Sequence, residues 1–111
     1  MDSLSTYRQA IERVLTVYTK IPYAHGELRC EALFDHENDR YALITLGWKA
    51  GKRVHFLLVH IGIVDGKVWI EKDNTEEGVA AELVQAGIPK SQIVLAFRPP
   101  EVRKHTDYAV A

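Results

Sequence analysis

Residues 53–73 read RVHFLLVHIGIVDGKVWIEKD, and the Asp65-Gly66 pair inside them decides the fold. Residues 54–64 are almost continuously apolar and rich in Val and Ile, which suits a strand buried on both faces better than a helix. Asp-Gly favours a type I′ turn, because both central residues take positive φ. The chain should therefore reverse at Asp65-Gly66 and pair residues 67–72 with the preceding strand. A two-residue turn sets the register: Ile63 opposite Val68, Ile61 opposite Ile70, Gly62 opposite Trp69 and His60 opposite Glu71. The first two pairs form a core face. The other face is expected to carry Trp69, His60, Glu71, Leu58 and Asp73.

Upstream, Lys49-Ala50-Gly51-Lys52 makes a turn, and residues 41–48, apolar on both faces, form the strand before it. Leu28, Cys30, Ala32 and Phe34 alternate with Arg29 and Glu31, the period of a half-buried strand at the sheet's periphery. Nearer the start, Leu4, Tyr7, Ile11, Val14, Leu15 and Tyr18 recur every three or four residues and define one face of a helix over residues 4–20. Asp2 or Ser3 is placed to cap that helix, and Pro22 to end it.

Downstream, Thr75 is placed to cap a second helix whose first turn holds Glu76 and Glu77 and whose buried stripe is Val79, Ala80, Leu83 and Val84. Gly87 and Ile88-Pro89 stop it. Residues 93–97 are extended, and Pro99-Pro100 opens an irregular tail. The expected architecture is α+β: a four-stranded antiparallel β-meander with an N-terminal and a C-terminal helix packed on it, one domain over residues 1–111.

Composition sets the bounds of function. The chain has 111 residues, 47% of them hydrophobic and 26% charged, within the range of ordinary globular domains. No apolar run is long enough to span a membrane. The acidic opening Met1-Asp2-Ser3-Leu4 resembles neither a signal nor a transit peptide, so a cytoplasmic protein is expected. Cys30, the one cysteine, excludes an internal disulfide and reads as a small buried hydrophobe. Fourteen basic against fifteen acidic residues give a net charge of −1, so there is no general electrostatic pull toward nucleic acid.

No catalytic constellation and no cofactor fingerprint stands out. His60 beside Glu71 suggests a cross-strand ion pair before a general base. The acidic series Glu71, Asp73, Glu76, Glu77 lacks calcium-loop spacing, and a metal-dependent hydrolase built on Asp73, Glu76, Glu77 and His60 is the weakest reading. A partner surface on Trp69, His60, Glu71, Asp73, Glu76 and Glu77 is the stronger expectation. Two short basic clusters, Lys52-Arg53 with Lys49 and Arg98-Arg103-Lys104 with His105, offer direct DNA contact as the alternative. An uncovered apolar sheet face would also favour a homodimer.

Taken together, Tyr7-Arg8, Gly47-Trp48, the block Asp65-Gly66-Lys67-Val68-Trp69-Ile70, Asp73, Thr75-Glu76-Glu77-Gly78, Gly87-Ile88-Pro89, Ile93-Val94-Leu95 and Tyr108-Ala109-Val110-Ala111 resemble XisI, the fdxN element excision controlling factor family. The resemblance spans essentially the whole chain and is most specific from Asp65 to Gly78. It implies an accessory role in programmed excision of a DNA element in nitrogen-fixing bacteria, where a separate recombinase cuts and rejoins the DNA. It further implies a nuclease-like companion, XisH, or the recombinase complex as partner. It carries over no catalytic residue.

Overall fold

The computed structural model describes residues 3–21 and 27–111. Helix α1, Ser3–Thr19, precedes four strands, β1 Leu28–Asp35, β2 Arg40–Lys49, β3 Lys52–Val64 and β4 Lys67–Asp73. Helix α2, Val79–Gln85, then leads through a 3₁₀ turn, Lys90–Gln92, into β5, Ile93–Leu95, and a short helix α3, Pro100–Arg103. The caps proposed at Asp2 and the Ser3 side chain, and the stop at Pro22, lie outside the described residues. No described helix is long and apolar enough to cross a membrane.

The sheet order is β1-β2-β3-β4-β5, with β3 central and β1 at one edge. The first four strands form the antiparallel meander expected from their turns. β5 changes the architecture: it pairs parallel to β4, Val68 with Ile93 and Ile70 with Leu95, so the sheet is five-stranded and mixed. A parallel neighbour needs a crossover, and α2 supplies it. Beyond β5, Ala109 bridges to Val94 in parallel.

Asp65 and Gly66 have φ of 51° and 79°, and Ala50 and Gly51 have 53° and 77°, so the β3–β4 and β2–β3 hairpins each turn on two left-handed residues. Gly47 has a different reason to be glycine. A Cβ there would lie 1.9 Å from the Glu27 carbonyl oxygen, where the chain entering β1 crosses β2 closely.

Both helices cover the same face. Ala10, Ile11 and Leu15 of α1 and Val79, Ala80 and Leu83 of α2 pack in one core with Tyr41, Leu43, Val59, Ile61, Val68 and Ile70. Tyr18 of α1 donates its hydroxyl proton to Glu82 of α2, 2.9 Å away. Cys30 is buried as expected, its Sγ 3.6 Å from Thr45 Oγ1.

Two bulges alter the faces read from the alternation. The pairing of β3 with β4 matches expectation from Val64 to Ile61 but shifts between His60 and Ile61, so Lys72, not Glu71, stands opposite His60. One extra residue has entered β4, and everything beyond it changes face. Asp73 now lies opposite Val59, on the helix side. A second shift, between Leu43 and Ile44, inserts a residue in β3, and Leu58 joins the core cluster instead of the far face.

Helix α2 starts later than Thr75 predicts. Gly78 occupies the N-cap with no side-chain cap of its own. Asp73 takes over: its carboxylate accepts the Val79 N–H at 2.7 Å and the Thr75 N–H at 3.0 Å, while Thr75 Oγ1 accepts the Gly78 N–H at 3.1 Å. Residues 73–78 thus form a closed corner before the helix, and Glu76 and Glu77 sit exposed on it.

Candidate partner-binding surface

The sheet face away from α1 and α2 is the surface available for recognition. Its centre is apolar: Ala42, Ile44 and Leu57 are half-buried, and Leu46 is buried. Leu33 on β1 is 54% exposed and Trp48 at the end of β2 is 52% exposed. Two such side chains left to water at the margins of an apolar strip are the usual composition of a docking patch. The Arg53 guanidinium lies 5.6 Å from the Trp48 ring centroid, which holds the indole at the hairpin tip.

Polar groups border the strip. His60 is half-buried and, with Leu33, Asp35, Arg40 and Ala42, lines a shallow notch of about 280 Å³. Arg40 lies over Gly62: a Cβ at that glycine would meet the Arg40 side chain at 3.1 Å. The space that the Gly62–Trp69 pairing leaves is therefore filled by arginine, although the register itself is as expected.

Trp69 has another partner. The Arg103 guanidinium lies 5.6 Å from its ring centroid and also donates to the carbonyls of Arg98, Ala96 and Val110. Trp69 and Arg103, expected on a partner surface and a DNA surface, meet in an intramolecular staple of the C-terminal segment. Arg98, 5.3 Å from the Phe97 ring centroid, and Lys104 remain exposed nearby. Lys52 and Arg53 are exposed on the β2–β3 turn, so the two basic clusters occupy different parts of the molecule.

The acidic residues are also divided. Glu71 is exposed in β4, and Asp73 is half-buried and engaged by its own loop. Glu76 and Glu77 line, with Glu82, Tyr18, Leu58 and Cys30, a cleft of about 330 Å³ beside the end of α1. Among the described residues no group of three or more His, Cys, Asp or Glu side chains is placed to hold a metal ion. Burial, and then the hydrogen bond to Glu82, push the Tyr18 phenol far above its ordinary pKa.

Leu33, Trp48 and Arg40 were missed by the alternation argument. Leu33 does interrupt the polar side of β1's pattern, and Trp48 immediately precedes a turn; both are visible in the sequence once the strands are placed.

The XisI protein family model matches residues 1–110. The chain belongs to the XisI family. Two solved structures extend the match in three dimensions. An XisI-like protein from Anabaena variabilis is 31% identical, with a TM-score of 0.86 over 97% of this chain and 99% of that one. The fdxN element excision controlling factor XisI from Anabaena variabilis is 32% identical, with a TM-score of 0.81 over 99% of this chain and all of that one. No curated protein matches significantly. In this XisI-family chain residues 65–78 map to the β3–β4 hairpin and the Asp73 corner, where they serve the turn, the staple and the start of α2.

Proposed function

We propose that this chain is an accessory factor in the controlled excision of a DNA element, acting by docking on a nuclease-like companion of the XisH kind or on the recombinase complex, without cutting DNA itself. Family membership supports the excision role, through the relative named as an excision controlling factor. The observation that carries the docking mechanism is the far sheet face, where Leu33 and Trp48 stand more than half exposed around an apolar strip. Exposed aromatic anchors of this kind supply most of the energy in protein interfaces.

The test is co-expression with an XisH-like companion followed by size-exclusion chromatography at micromolar concentration. Co-elution is expected, and Trp48→Ala with Leu33→Asp should weaken it by about 2 kcal/mol or more. Separate elution of the wild-type pair, and of the pair with the recombinase, would end the proposal.

Direct DNA contact is a second reading, favoured by one observation: residues 41–64 contain none of the fifteen acidic residues while carrying Lys49, Lys52 and Arg53 at their turn. A mobility-shift series should then show affinity falling steeply with salt. No shift at low salt removes this reading.

A further inference from the structure

The central strand is not paired along its whole length. β4 pairs with β3 only from Val59 to Val64, and among the described residues no strand lies against residues 52–57 on the side away from β2. An open strand edge presents N–H and C=O groups that face solvent and form a template on which another extended chain can pair. Proteins commonly protect such edges with lysine, and Lys52 begins this one. Here, however, the edge continues into Val54 and Phe56, and Phe56 is 42% exposed.

At the far end of the open edge the chain is acidic. The Asn74 N–H donates to the Leu58 carbonyl at 2.8 Å, which places the corner of residues 73–78 directly beyond residue 57. Glu76 and Glu77 are exposed there without an ion-pair partner among the described residues, as are Lys49 and Lys52 at the turn. One short edge therefore has a basic end and an acidic end.

We propose that residues 52–57 are a self-pairing edge on which a second copy of this chain docks antiparallel, across a two-fold axis at His55 that sets Val54 opposite Phe56. Antiparallel two-fold pairing is self-complementary. It lays the basic turn of each copy against the Glu76-Glu77 corner of the other, and it covers Val54 and Phe56 on the shared face. A parallel arrangement would set like charges together. The charge pattern of this chain thus selects a second copy over an unrelated strand. The inference does not rest on the proposed function.

The test is sedimentation velocity of the full chain across the micromolar range, with hydrogen exchange at residues 53–56. The expected result is a species of twice the 12.6 kDa chain mass, weakened by salt, with those amides protected as the dimer forms. Lys49→Glu with Lys52→Glu, or Glu76→Lys with Glu77→Lys, should each raise the dimer Kd by about tenfold or more, and the four substitutions together should restore it. All four sites are exposed, and near-UV circular dichroism checks that each variant is folded. A monomer throughout the range overturns the proposal, as does a dimer indifferent to the reversals or one the fourfold variant fails to restore.

Discussion

The Arg103 guanidinium lies over the Trp69 ring at 5.6 Å and reaches three backbone carbonyls, of Arg98, Ala96 and Val110. One side chain thereby ties the segment after β5 to the far face of β4. Lys67 adds a contact to the Ala111 carbonyl, and Ala109 continues the sheet beside Val94. Arginine suits this position because its planar fork can stack and donate in several directions at once.

Arg103→Ala should lower stability by about 1–2 kcal/mol, through the lost stacking and the lost charge-assisted hydrogen bonds. Arg103→Lys should recover only a part, since an ammonium cannot serve three carbonyls and the ring together. Urea unfolding followed by tryptophan fluorescence measures both. A change in the midpoint within error for Arg103→Ala would show that the staple contributes nothing.

Acid should loosen the contact between α1 and the β1–β2 turn. Arg8 holds Asp39 through two hydrogen bonds, of 2.7 and 3.0 Å, and Tyr41 donates to the same carboxylate at 3.1 Å. The Arg8 hydrogen bond, more than burial opposes it, keeps the Asp39 carboxyl below the usual carboxylate range. A lowered folded-state pKa contributes stability that is present above the unfolded value and lost as pH falls through the folded one. Melting curves from neutral pH downward should therefore show a loss beginning near pH 4, and Asp39→Asn should flatten it. Arg8→Ala should cost about 1 kcal/mol at neutral pH and little in acid.

Alkali acts with the opposite sign. Burial first, and then the hydrogen bond to Asp39, push the Tyr41 phenol up to about 12. A raised folded-state pKa means that this contribution is intact below the ordinary tyrosine value of about 10 and fades as pH climbs through the folded one. Titration of the 295 nm phenolate band should reveal a late-ionising fraction that Tyr41→Phe diminishes. Loss of that late fraction in no tyrosine variant would contradict the burial of the ring.

The hairpins were legible because their turns are local chemistry: Asp65-Gly66 and Ala50-Gly51 adopt the positive φ that their positions demand. The α1 stripe was legible for the same reason, since a period of 3.6 leaves its mark on seventeen consecutive residues. The two bulges left no such mark. An extra residue at Leu58 or near Glu71 changes neither composition nor turn, yet it moves Leu58 and Asp73 to the helix side and leaves His60 opposite Lys72. β5 is three residues long, too short for alternation to declare a strand, and its partner lies across α2. The grouping of surface residues was the least legible part, because it depends on which face each residue occupies. Asp73 holds the corner before α2 and Trp69 carries the Arg103 guanidinium, while Trp48 stands exposed at the end of β2.

Gly47→Ala tests the close crossing at the start of β1. The added Cβ would collide with a backbone carbonyl, which cannot swing aside as a side chain would, and φ of 142° strains any L residue. A cost of about 3 kcal/mol is expected from overpacking and backbone strain together. Unfolding within a few tenths of a kcal/mol of wild type would mean that β1 can move away from β2 at that point.

Ala50 offers the reverse experiment on the neighbouring turn. Its φ of 53° is left-handed, a conformation alanine adopts at a cost and asparagine tolerates better. The position is exposed, and it precedes Gly51, so Ala50→Asn creates the Asn-Gly pair most favoured in two-residue hairpin turns. Stability should rise by about 0.5–1 kcal/mol, read as a higher urea midpoint at unchanged m. Because the turn also carries Lys49 and Lys52, the substitution should leave every charge in place and alter only the stiffness of the tip. A lower midpoint would show that the native turn does not hold Ala50 in the left-handed region.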